Sequence, residues 1–134
     1  MPAAQVLDSH ALLALLRDEP GAEAVATILK KAGQRDQPVH MTEVNYAEVQ
    51  YIVRRKDGDA AWQTIALELV AAPIHFHPAD RRLADLAAEF KARFKMSLAD
   101  AFAAALAKEK KAELVTGDPE FKALEKEIKI NWLK

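Results

Sequence analysis

Four carboxylates, Asp8, Glu48, Asp100 and Asp118, are the residues of this chain whose type and placement could do chemistry. Asp8 ends a short apolar run, and Asp118 follows a second one, Glu113-Leu114-Val115, across a Thr116-Gly117 turn. Asp100 stands in the first turn of an alanine-rich helix. Glu48 has Val44, Asn45, Tyr51 and Ile52 as its neighbours three or four residues away on a helix. A carboxylate on so apolar a stripe is expensive to bury unless it is paired or bound to a cation. Acids gathered in one cleft repel each other and hold protons. Hard oxygen ligands of this kind suit Mg²⁺ or Mn²⁺.

The elements that must position these acids can be read from periodicity and punctuation. Residues 3–7 form an apolar strand, and residues 10–17 a helix. Pro20 opens a second helix with Ala24, Val25, Ile28 and Leu29 at helical spacing, and Gly33 and Pro38 bracket a loop. Val39-His40-Met41 is a brief strand, and Thr42 caps a helix running to about Lys56. Asp57-Gly58-Asp59 breaks it, and a helix with Ala61, Ile65, Leu67, Leu69 and Val70 follows. Pro73-Ile74-His75-Phe76 is a strand, and Pro78 starts a helix with Leu83, Leu86, Ala87 and Phe90 in a stripe. The helix after Ser97 is apolar nearly all round and must be largely buried. Pro119 can open a further helix, and Ile128-Lys129-Ile130 closes as an alternating edge strand.

Short apolar strands alternating with helices imply right-handed crossovers and a mostly parallel sheet covered on both faces, a three-layer α/β/α domain. Ligands of such sheets bind beyond the carboxyl ends of the strands. That rule sends Asp8, Asp100 and Asp118 towards one crevice, with Glu48 beside it.

Composition narrows the class. A chain of 134 residues holds one domain with a core, and 51% hydrophobic residues exclude a disordered tail. There is no cysteine, hence no disulfide framework, thiolate zinc site or cysteine nucleophile. No apolar run reaches membrane-spanning length and the start lacks the features of a signal peptide, so the expected location is the cytoplasm. A net charge of −1 excludes a uniformly basic nucleic-acid surface but permits a local basic rim.

Leu7-Asp8-Ser9 opening a helix, Glu48 in Asn45-Tyr46-Ala47-Glu48-Val49, Asp100 in Ser97-Leu98-Ala99-Asp100-Ala101, and Thr116-Gly117-Asp118 occur in an order that resembles the PIN-domain nucleases. Size and layout are most similar to the VapC toxins of VapBC toxin–antitoxin pairs. The resemblance spans residues 1–134 as a single PIN-like domain. It implies a metal-dependent endoribonuclease using Mg²⁺ or Mn²⁺, a small cognate antitoxin, an RNA substrate and a homodimer. Asp8, Asp100 and Asp118 would then be direct or water-mediated ligands, and Glu48 a ligand or the group that orients the attacking water. Thr116, Asn45 and Ser9 would hold the carboxylates by hydrogen bonds.

Plainer roles stand beside these. Singly, Asp8, Ser9 and Asp118 are good helix caps, and Ser97 to Asp100 reads as a capping box. Glu48 could instead pair with Arg54 or Arg55. Jointly the acids favour a site, since three should meet at one crevice. His75 and His77 share a strand face at a spacing that can bind metal, yet without further ligands nearby a structural role is favoured. His10 could overlook the crevice but is given no catalytic part. Basic clusters at Arg54-Arg55-Lys56, Arg81-Arg82, Lys91-Arg93-Lys95 and Lys108-Lys110-Lys111 read as solvated helix faces, and Trp62 and Trp132 as packing residues. Three alternatives remain open: a catalytically silent PIN-like protein-binding module, a PIN-fold nuclease of RNA maturation or of DNA, and a receiver-like signalling domain. The last expects an early Asp-Asp pair and a later lysine, whereas these acids are spread through the chain.

Overall fold

A computed structural model describes residues 3–133, so Met1, Pro2 and Lys134, which the 1–134 domain reading includes, lie outside the described residues. Five short strands form one all-parallel sheet: β1 (Gln5–Leu7), β2 (Val39–Thr42), β3 (Ile74–His77), β4 (Glu113–Thr116) and β5 (Ile130–Trp132). Their spatial order is β3-β2-β1-β4-β5, which puts β1 at the centre. Helices α1 (Ser9–Leu16) and α2 (Ala22–Arg35) join β1 to β2, and α3 (Glu43–Asp57) and α4 (Asp59–Ala71) join β2 to β3. Helices α5 (Arg81–Arg93) and α6 (Leu98–Lys110) cross back to β4, and a 3₁₀ segment, Pro119–Leu124, leads towards β5.

The first two crossovers step one way from β1, and the third steps the other. With crossovers of one hand, the helices must fall on opposite faces. The side chains follow. Val6 and Leu114 pack with α5 and α6, whereas Leu7 and Val115 pack with α1 and α2. Met41 joins Leu12, Val49, Val53, Trp62 and Leu69 in a third cluster under α3 and α4. The three-layer α/β/α expectation is therefore met. The strand order reverses between β1 and β4, and a crevice opens there, beyond their carboxyl ends.

Helix α6 is the buried one. Every residue from Ala101 to Ala107 is buried, and the small alanine side chains let it lie close on the sheet and on α5. Leu106 on α6 and Phe90 on the adjoining α5 are both fully buried, each stabilising by roughly 1.5–3 kcal/mol through apolar area removed from water. Ser97 accepts the Asp100 N–H at its start, and Lys111 ends it in a left-handed turn with φ of 52°.

Some boundaries differ from the sequence reading. The loop expected from Gly33 begins only after Arg35, because Val25, Ile28, Leu29 and Ala32 keep one apolar stripe on the sheet across that glycine. In α4, Trp62 and Leu69 face inward, while Leu67 and Val70 point out to solvent. Helix α5 starts at Arg81 rather than Pro78, since the Asp80 carboxylate accepts the Leu83 N–H at 2.9 Å and fixes the first turn. The closing edge strand begins at Ile130, two residues late, because buried Ile128 is still packed under the turn after the 3₁₀ segment. Both tryptophans are packing residues: Trp62 is buried, and Trp132 donates its indole N–H to Glu125 at 3.0 Å. No helix of the described residues is long and apolar enough to cross a membrane.

Candidate functional site

The crevice is built on the last residues of β1 and β4. Asp8 follows β1 directly and is buried. Its Oδ1 accepts the Ala11 N–H at 2.8 Å, so the residue caps α1, and its Oδ2 accepts the Thr116 hydroxyl at 2.5 Å. Thr116 Oγ1 in turn accepts the Asp118 N–H at 3.0 Å. Asp118 then caps the 3₁₀ segment by accepting the Glu120 N–H at 2.9 Å. Between them, Gly117 passes under the His10 ring: a Cβ there would lie 2.6 Å from the imidazole Cε1. His10 thus stands at the rim, and a side chain at 117 would push it aside.

Asp100 enters from α6 and Glu48 from α3. Buried Asn45 ties these helices to α1. Its Nδ2 donates to Ser9 Oγ and to the Ala99 carbonyl, each at 3.1 Å, and its Oδ1 accepts from Thr42 Oγ1. Ser9 neighbours Asp8, and Ala99 neighbours Asp100, so one amide sets the spacing of the backbones that carry two of the acids. Glu48 is half-buried, and Arg54 pairs with Asp59 rather than with it.

The electrostatics show that the acids share a space. Burial pushes the Asp8 carboxyl up to about 7, with Asp100 and Asp118 adding to the rise and the Thr116 hydroxyl opposing it. Burial also lifts Asp100 to about 6, helped by the charges of Asp118, Glu48 and Glu120, while a hydrogen bond with Ser97 pulls the other way. Such a cluster is held by protons or by a cation. Carboxylate oxygens of Asp100, Asp118 and Glu120 lie within 4.8 Å of one another, near enough to share one ion. An all-oxygen donor set of this kind fits Mg²⁺ or Mn²⁺.

Asp8, Asp100 and Asp118 gather at this crevice, the charge of Glu48 acts on Asp100 from α3, and Thr116, Asn45 and Ser9 hold their surroundings by hydrogen bonds. Glu120 is an additional member. Its signal was the acid directly after Asp118-Pro119, where a first helical turn brings it back over the cap. Several basic side chains engage acidic neighbours on the surface: Arg82 with Glu109, Arg93 with Glu127 and Glu89, and Lys129 with Glu113.

The sequence model of the family described as PIN domain matches residues 6–127. No curated protein is significantly similar to the chain in sequence. Among solved structures, VapBC2 from Rickettsia felis, bound to a DNA fragment from its promoter, is similar at a TM-score of 0.78 and 15% identity over 98% of this chain and 99% of that one. A sarcin–ricin-loop-cleaving VapC toxin from Mycobacterium tuberculosis gives 0.71 and 18%, over 90% and 94%. A member of the VapBC family of toxin–antitoxin systems from the same organism gives 0.64 and 20%, over 99% of each chain. At such identities these likenesses show a shared fold.

Proposed function

The chain belongs to the PIN domain family, and from that membership we propose that it is a divalent-metal-dependent endoribonuclease acting as the toxin of a type II toxin–antitoxin pair. The observation that carries the reading is the meeting of Asp8, Asp100 and Asp118 at the β1/β4 switch point, with Asp8 and Asp100 held well above the ordinary carboxylate range. Asp100, Asp118 and Glu120 would hold Mg²⁺ or Mn²⁺. Such an ion, when bound, supplies an activated water and offsets the charge of the phosphodiester.

The chain's own residues do the rest. Asp8 would hold the ion directly or through a water, and Thr116 fixes its orientation. Glu48, half-buried on α3, orients the attacking water or completes the ligand set. Asn45, with Ser9, holds the α1, α3 and α6 termini so that the acids cannot drift apart. The toxin role and a small antitoxin partner are supported by the likeness to VapBC toxin–antitoxin structures, and an RNA substrate by the likeness to a VapC toxin that cleaves the sarcin–ricin loop. A homodimer and a cytoplasmic setting are parts of the same proposal.

The test is cleavage of a mixed RNA pool by purified protein in Mg²⁺, Mn²⁺ or EDTA, beside Asp8→Asn and Asp100→Asn. Metal-dependent cutting absent from both variants supports the reading. A folded, antitoxin-free wild type that cuts no RNA would favour the silent binding module. Cutting of DNA instead would favour another nuclease of this fold.

A further inference from the structure

The β2–β3 edge of the sheet carries a second cluster of ligating side chains, made of imidazoles. Edge strand β3 projects His75 and His77 to one face, as the two-residue period of a strand requires. Parallel β2 sets His40 directly beside His75 in register. The ring centroids of His75 and His77 are 4.1 Å apart, and those of His40 and His77 4.9 Å apart. His40 Nδ1 approaches His77 Nε2 to 2.8 Å, and one ring nitrogen from each of the three lies within 4.8 Å of the others.

We propose that His40, His75 and His77 form a second metal site, selective for a borderline transition ion of the Zn²⁺ class and separate from the acidic crevice. Three histidines leave the fourth tetrahedral position to water or another donor. Two nitrogens on one zinc stand ~3.3 Å apart, given bonds of about 2.0–2.1 Å. The His40–His77 contact needs to open by only a fraction of an ångström, and exposed His75 is free to swing in. That contact is a hydrogen bond with the proton on one of the two nitrogens. For an ion to bind, that ring carries its proton on its other nitrogen instead, and both lone pairs turn towards the ion.

The rings are ready for this. Burial, the charge of Lys110 and their mutual proximity hold His40 below its ordinary range and His77 at about 4, so both are neutral, with lone pairs to give, at neutral pH. Lys110 also repels a cation, but it is exposed at the end of α6 and screened by salt. Nitrogen donors favour Zn²⁺, Ni²⁺ or Cu²⁺ over Mg²⁺, the reverse of the carboxylate site. An ion here would pin edge strand β3 to β2.

The experiment is a Zn²⁺ titration against a chromophoric chelator, in excess Mg²⁺, on Asp100→Asn and on Asp100→Asn with His75→Ala. Histidine ring-proton NMR is recorded alongside. The expected result is one Zn²⁺ per chain in Asp100→Asn, with shifts in three histidine rings. Removing a direct ligand should weaken it at least about tenfold, since loss of a mere supporting hydrogen bond already costs that much. His75 is exposed, so its truncation leaves the core intact. No Zn²⁺ bound to Asp100→Asn, or equal affinity after His75→Ala, overturns the proposal.

Discussion

Thr116 Oγ1 donates to Asp8 Oδ2 at 2.5 Å while accepting the Asp118 N–H at 3.0 Å, so one hydroxyl orients an acid and the loop that carries another. Thr116→Val keeps the shape and removes both bonds. A buried carboxylate oxygen and an N–H then lose their partner, at a cost of about 1–3 kcal/mol each before relaxation. The Asp8 carboxyl should titrate higher still, because the hydroxyl is the leading influence holding it down. Carboxyl ¹³C NMR across pH reads this directly. Thr116→Ser should restore the wild-type titration, and an unchanged Asp8 in Thr116→Val would remove Thr116 from the site.

Asn45→Leu should separate architecture from charge. The leucine keeps the count and branching of side-chain heavy atoms but abandons Ser9 and the Ala99 carbonyl. Unfolding in urea should cost about 1–3 kcal/mol. Mn²⁺ affinity at the crevice should fall about 10- to 100-fold, as for other residues that orient ligands without touching the ion. Loss of stability with unaltered Mn²⁺ binding would confine Asn45 to the scaffold.

Without divalent ions the protein should become less stable as pH rises. Asp8 is raised from 3.8 to about 7, so above pH 4 the folded state keeps a proton that the unfolded chain has released. That stabilisation is whole below about pH 4, declines with rising pH, and is gone once pH passes about 7. The span amounts to about 4 kcal/mol at 1.36 kcal/mol per pH unit. Asp100 acts in the same direction, up to about pH 6. Urea midpoints in EDTA across pH 4–8 measure the slope, which Asp8→Asn should flatten. Divalent binding, which needs the ionised forms, should strengthen over the same interval and release protons into weak buffer.

Glu120→Gln should weaken Mn²⁺ binding at least about tenfold with little change in stability, because its backbone cap to Asp118 is kept. Isothermal titration beside thermal unfolding distinguishes the two. Binding at wild-type strength would remove Glu120 from the ligand set.

What could be read in advance, and what could not, divides along physical lines. Asp8, Asp100 and Asp118 were legible because each sits where an apolar run changes character, and the crevice rule for parallel sheets assembles such points. Glu120 was not, because Asp118-Pro119 already explained the turn, and only the 3₁₀ geometry folds the following acid back. His40 was a strand residue with no visible tie to His75 and His77. Their meeting depends on the β2–β3 register, which no local pattern encodes. Helix α2 ran on through Gly33 since tertiary packing outweighs a single weak helix former.

The two ends of the Thr116–Asp8 bond are 108 residues apart, and β4 must slot in between β1 and β5 before it can form. During synthesis β1 therefore waits with one side unfilled until β4 has been made. A ribosome that has released residues 1–110 carries Asp8, Glu48 and Asp100 but no crevice to hold them. The acids meet only once β4 and the turn that follows it have joined the sheet.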